Sequence, residues 1–193
     1  MSGIFQGKER RKNELILKSL ISGAKTTNQI AEYIYLNPEK GIKPSTVNRN
    51  KVKTEVSMIS RKGSRLEELK TKGYITHKDS LWDLTFKGLG VALTLFDNLR
   101  PIYPQVKSFL HSFVREFKKQ ISKNPTLPAF FKSSKFIQPI KLFESRNFIQ
   151  LLKDLTNEQM RLGLDFDQIN EENFLATLFG RILQTYFSKM FEP

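Results

Sequence analysis

Two short runs with strand-like character, Tyr74–His77 and Leu81–Thr85, stand in the middle of a chain whose other apolar patterns follow helical spacing. They are separated only by Lys78-Asp79-Ser80, a turn-forming tripeptide, so they predict one small antiparallel hairpin. A chain of 193 residues with a single hairpin is restricted to a mainly α fold in which the hairpin is an appendage of helices. The length fits one large domain or two small ones, and the composition divides in two. Residues 1–92 carry 18 Lys/Arg against 9 Asp/Glu, whereas residues 93–193 carry 14 against 10. Phenylalanine is distributed oppositely, with 14 of 16 after residue 92. A basic, Phe-poor part therefore precedes a less charged, Phe-rich part.

The net charge of +13 points to a polyanion partner, either nucleic acid or an anionic membrane surface, over a merely solubilising surface. Its placement sharpens the point. Between Lys40 and Arg65 lie eight cations, Lys40, Lys43, Arg49, Lys51, Lys53, Arg61, Lys62 and Arg65, with Glu55 as the one acid. A solvated helix face ordinarily mixes signs, so a one-sided run suits phosphate binding better.

Along the basic half, Lys8 to Ile21 reads as a helix stopped by Gly23. Thr26 or Thr27 caps a second, from Asn28 to about Tyr35, burying Ile30, Ala31 and Ile34. A turn-rich loop, Asn37-Pro-Glu-Lys-Gly41, leads to a third helix, predicted from Pro44–Ser45 to Lys62, with Gly63 as its end. In it Val52, Val56 and Ile59 share the buried face, while Asn50, Thr54, Ser57 and Arg61 project oppositely with Lys53 on their flank. Those side chains are of the types that reach base edges and phosphates. Ser64 and Glu67 form a capping-box pattern for a fourth helix, Arg65 to Lys72, and Thr85 can cap a fifth, Phe86 to Leu99.

The segments Leu66-Glu-Glu-Leu-Lys-Thr-Lys-Gly-Tyr-Ile75 and Leu81-Trp-Asp-Leu-Thr-Phe-Lys-Gly88 resemble the ending shared by archaeal and bacterial winged helix-turn-helix transcription regulators. The resemblance covers about residues 8–95. It implies a winged helix-turn-helix domain over 8–95 followed by an all-helical, Phe-rich dimerisation or effector domain over 96–193. It further implies that the third helix enters the major groove of double-stranded DNA and that the hairpin lies along the backbone, with Lys78 at its tip on phosphate. The expected DNA-binding residues are Lys43, Arg49, Asn50, Lys51, Lys53, Thr54, Ser57, Arg61, Lys62, Arg65 and Lys78. The chain departs from the compact pattern in the long Leu36–Ser45 loop and the Lys62-Gly63-Ser64 interruption. Thr46, Val47 and Arg49 could accordingly form a turn of their own, with the reading face beginning at Asn50. Trp82 is expected in the core.

In the second half, Val106 to about Ser122 and Pro139 to Leu155 have helical spacing, and Thr156 with Gln159 suggests a capping box opening a short segment to Leu162. Asn170 is placed as the cap of a last helix, Glu171 to Phe191, whose apolar surface is wider than one buried face requires. A homodimer interface through Phe174, Leu178, Phe179, Ile182 and Tyr186, a buried central helix, and a pocket for a small apolar effector all account for that width. Six acids between Asp154 and Glu172 lack calcium-loop spacing and read as solvated.

Cysteine is absent, which excludes disulfides, thiolate-zinc sites and thiol catalysis. His77 and His111 fall in separate elements, and no phosphate loop, nucleophile elbow or zinc-protease pattern occurs. No enzyme activity, cofactor or metal is expected. No stretch approaches the ~20 apolar residues of a membrane span, and no secretory leader is seen, so a soluble, cytoplasmic, nucleoid-associated protein is expected. The leading expectation is thus a dimeric DNA-binding transcription regulator. The alternative is a winged-helix interaction module, or a sequence-nonspecific DNA-binding component, of a replication, transcription or chromatin assembly.

Overall fold

The computed structural model describes residue 5 and residues 10–38, 44–61, 63–123 and 146–161, together with residues 169, 173, 174 and 177. In chain order the elements are α1 (Arg10–Leu20), α2 (Thr27–Leu36), α3 (Arg49–Ser60), α4 (Arg65–Thr71), β1 (Ile75–Lys78), β2 (Leu81–Leu84), α5 (Phe86–Thr94), a single 3-10 turn (Arg100–Ile102), α6 (Tyr103–Lys123) and α7 (Arg146–Arg161). The described chain is mainly helical, with one two-stranded antiparallel sheet.

Local chemistry sets most of these boundaries. Thr26 caps α2 in a complete capping box: its hydroxyl accepts the Gln29 N–H, and the Gln29 side chain accepts the Thr26 N–H. Helix α3 begins at Arg49, not at Pro44–Ser45. The Asn48 side chain accepts the N–H groups of Asn50 and Lys51, a cap that no earlier residue supplies. At the end of α4, Gly73 has φ +73°, its N–H donates to the Lys70 carbonyl, and the Tyr74 N–H donates to the Leu69 carbonyl. This pair of bonds is a Schellman ending, and the left-handed backbone is the reason a glycine sits there. It turns the chain directly into β1.

The hairpin pairs Ile75 with Leu84 and His77 with Trp82, so Ile75, Trp82 and Leu84 face the core together. The turn is Asp79-Ser80 alone, both at positive φ (50° and 64°), and Lys78 is the last residue of β1, not part of the tip as expected. The outer edge of β2 does not end in solvent. Backbone bonds of 2.9 and 2.8 Å join Lys25 and Trp82 in both directions, fastening the hairpin to the turn between α1 and α2.

Thr85 caps α5 through the Gly88 N–H, as expected, but α5 ends at Thr94, five residues short of Leu99. The chain closes there in tight turns, Leu95 N–H to the Ala92 carbonyl and Phe96 N–H to the Leu93 carbonyl. Helix α6 starts at Tyr103, earlier than Val106, with Pro104 in its first turn, where a missing N–H costs nothing. Thr156 is not a cap. It lies inside α7, buried, and its hydroxyl donates to the Leu152 carbonyl one turn back. The expected helix start at Pro139 and the last helix from Glu171 to Phe191 fall largely outside the described residues.

One hydrophobic core runs through both halves. Leu15, Ile16, Leu17 and Leu20 of α1 meet Ile30, Ile34, Ile59, Leu66, Leu69, Tyr74 and Trp82, and the same cluster continues through Phe86, Leu89 and Val91 of α5 to Phe148, Ile149 and Leu152 of α7 and Phe174. Helix α5 is nearly wholly buried and forms the axle of this arrangement. Two glycines let neighbours approach it. A Cβ on Gly88 would lie 1.8 Å from the Tyr74 carbonyl oxygen, and one on Gly90 would lie 2.6 Å from the Thr156 hydroxyl and 3.1 Å from the Phe174 ring. Among the described residues no helix is long and apolar enough to cross a membrane.

Candidate nucleic-acid interface

Helix α3 rests on α2 and α4 through Val52, Val56 and the fully buried Ile59. With these fixed inward, rotation of about 100° per residue carries Asn50, Thr54 and Ser57 to the outermost line of the helix. All three are exposed. Lys53 and Arg49 fall on one flank of that line, Lys51 and Met58 on the other, and Arg61 follows the C-terminal end; these too are exposed. The arrangement is a strip of short polar side chains bordered by cations. Thr54 donates its hydroxyl to the Asn50 carbonyl at 3.2 Å, which restricts its rotamer.

The electrostatics of the strip are one-sided for a structural reason. Glu55 on α3, the one acid in the basic run, is held by Lys12 of α1 at 3.2 Å and turned away from the exposed line. Arg49, Lys51, Lys53 and Arg61 form no ion pair among the described residues. Their charges therefore act on solvent and on whatever approaches from it.

Of the other expected contacts, Arg65 is half-buried and bonded to Glu68 on its own helix at 2.7 Å, so part of its charge is spent internally. Lys78 is exposed at the end of β1, opposite Leu81. Lys43 and Lys62 lie outside the described residues, as do Leu178, Phe179, Ile182 and Tyr186. Phe174, expected on a subunit interface, is 2% exposed and packs within its own chain, its ring centre 6.4 Å from that of Phe86.

Three features had no sequence signal. His77 stacks on the Trp82 indole, ring centres 4.1 Å apart and planes within 23°, covering the outer edge of the hairpin's aromatic residue. The Trp82 Nε1–H donates to the Thr27 hydroxyl at 3.0 Å. Lys87 is completely buried, its ammonium donating to the carbonyls of Lys72 and Ile169 at 2.8 and 2.6 Å and lying 4.4 Å from the centre of the Tyr74 ring. These partners are 15 and 82 residues away in the chain, beyond the reach of any local pattern. Among the described residues no group of three metal-ligating side chains occurs.

No family model, curated protein or solved structure matches this chain.

Proposed function

We propose that the protein is a winged helix-turn-helix DNA-binding transcription regulator, in which α3 enters the major groove and the β1–β2 hairpin lies along the neighbouring backbone. The observation that carries this reading is the layout of α3: Asn50, Thr54 and Ser57 along the outermost line, with the cations Arg49, Lys51, Lys53 and Arg61, in no ion pair among the described residues, around it. Phosphates flank the major groove on both sides, so cations on the borders position the helix while the central polar side chains meet base edges. The helix succession and the hairpin that follows α4 support the same reading, with Lys78 at the end of β1 toward the backbone. Homodimerisation through the C-terminal region, which would place two such helices on one face of a duplex, is part of the proposal.

A second reading has one observation in its favour. Val47 and Met58 are exposed at 43% and 39% beside the same strip, and apolar side chains there suit a protein surface. In that case the domain is an interaction module of a larger nucleic-acid assembly.

Fluorescence anisotropy with a duplex from the region upstream of the protein's own coding sequence, against a scrambled duplex over a salt series, separates these. A preference of about 10³ or more for one site supports a sequence-specific regulator. Equal binding that collapses with salt reduces the function to electrostatic DNA binding, and no binding to either duplex removes DNA as the partner.

A further inference from the structure

The hairpin has a second face, opposite the core, formed by Thr76, Lys78, Leu81 and Asp83. At its base a groove of about 420 Å³ opens between β2, the turn after α1 and the first three turns of α6. That volume lies within the range of small-molecule sites, ~300–1,000 Å³. Its chemistry is unlike the rest of this basic chain. Asp83 is the single charged side chain among the described residues lining it, and the other polar groups are hydroxyls and one amide.

Two of those groups, Asp83 and Ser22, face it as acceptors. One Asp83 carboxylate oxygen takes the Leu84 N–H at 2.8 Å. Even so, burial outweighs that bond and pushes the carboxyl above the ordinary aspartate range. The ionised carboxylate is under-solvated, and a cation brought to it would be rewarded accordingly. Ser22 has spent its proton on the Ser19 carbonyl at 3.2 Å and presents only lone pairs. Ser108 and Ser112, one turn apart on α6, line the same side, and Phe109 and Pro104 provide an apolar wall. A lone carboxylate cannot hold a divalent metal, which needs several oxygen ligands.

We propose that this groove binds a small organic ammonium compound, its charged nitrogen against Asp83 and the serine hydroxyls and its apolar body against Phe109 and Pro104. An occupant bridges β2 to α6 and so ties the hairpin to the helix leading into the C-terminal half. Bound in this way it acts as an effector of DNA affinity; this second step rests on the DNA-binding reading above, whereas occupancy of the groove does not.

The test is a titration of the full, isotope-labelled chain with tyramine, followed by amide chemical shifts. Saturable shifts are expected at Gly23, Asp83 and Ser108, half-complete at or below about 5 mM. Asp83→Asn, which keeps an acceptor for the Leu84 N–H, should weaken binding at least tenfold, and Ser108→Ala should weaken it less. The alcohol 2-(4-hydroxyphenyl)ethanol, equal in shape but uncharged, should not saturate. Absence of saturable shifts, equal binding of the alcohol, or an unaffected Asp83→Asn would each overturn the site. In the DNA arm, tyramine should change duplex affinity by threefold or more. Occupancy without that change overturns the effector role alone. A chain that binds no DNA yet binds tyramine at Asp83 overturns the DNA reading and leaves the groove standing.

Discussion

The indole of Trp82 donates to the hydroxyl of Thr27 across 3.0 Å, linking the second strand of the hairpin to the first turn of α2. Together with the Lys25–Trp82 backbone pair, it makes the hairpin part of the helical body. Trp82→Phe retains a ring for His77 to stack on but removes the donor, and should lower stability by about 1 kcal/mol in urea unfolding. Thr27→Val should cost a similar amount, and the double variant little more than either alone. Fully additive losses would show that the bond contributes nothing.

The two close approaches along α5 make a sharper prediction. Gly88→Ala places a methyl 1.8 Å from a backbone oxygen that has no flexible atoms to yield, and should cost about 3 kcal/mol or more, or prevent folding. Gly90→Ala meets the Thr156 hydroxyl, a side chain that can be removed. Thr156→Ala should therefore recover part of the Gly90→Ala loss, the remainder reflecting the Phe174 ring. Thermal melts of the four chains in this cycle measure the coupling.

The hairpin turn carries two non-glycine residues at positive φ. Ser80→Gly relieves that conformation at 64° and should raise stability by about 0.5 kcal/mol, the gain being limited by glycine's greater freedom in the unfolded chain. A loss of stability on this change would mean that the Ser80 side chain holds the turn.

Asp83 gives a pH dependence of definite sign. Its pKa is raised on folding, so the folded chain binds this proton more readily than the unfolded one. Ionised Asp83 therefore opposes folding; the cost is complete above the folded-state pKa, shrinks as pH falls through it, and vanishes below the ordinary value of 3.8. Asp83→Asn should raise the unfolding midpoint at pH 7, with the gain shrinking as pH is lowered toward 4. A variant less stable than the parent at pH 7 would reveal a favourable partner for the carboxylate.

On the proposed interface, Lys53→Ala should weaken every duplex about equally and lower the salt slope by about one unit, as loss of one phosphate contact does. Arg61→Ala should do the same, or also relax specificity where the guanidinium meets a base. Anisotropy over a salt series reads both effects. Two variants indistinguishable from the parent would remove this face of α3 from DNA binding.

The features legible in the sequence are those decided within a few residues. The 3.6-residue spacing of Val52, Val56 and Ile59 orients α3, and it was enough to identify Asn50, Thr54 and Ser57 as its outer line. Gly23, Thr26 and Thr85 mark element ends because caps and positive-φ turns are local chemistry. The same logic fails where distant groups decide. Thr156 and Gln159 have the spacing of a capping box, yet a neighbouring α5 with a bare Gly90 gives the threonine a place inside a continuous helix. Nothing within a few residues of Lys87 marks it for burial, which rests on carbonyls from two remote segments. Lys12 and Glu55, far apart in sequence, pair only after α1 and α3 have packed. Pro44 and Ser45 signal a start in the sequence, yet the side-chain bonds of Asn48 set where α3 begins.

The burial of Lys87 and Phe174 bears on how the chain is made. During synthesis, α5 emerges long before Ile169 and Phe174, which complete its surroundings. At ~5–20 residues per second, the interval is on the order of ten seconds. Over that time an ammonium destined for the interior stays hydrated and the apolar side of α5 stays uncovered. The nascent basic half must wait for Ile169 and Phe174 before its own packing is finished, and it is in this interval that a chaperone would have most to do.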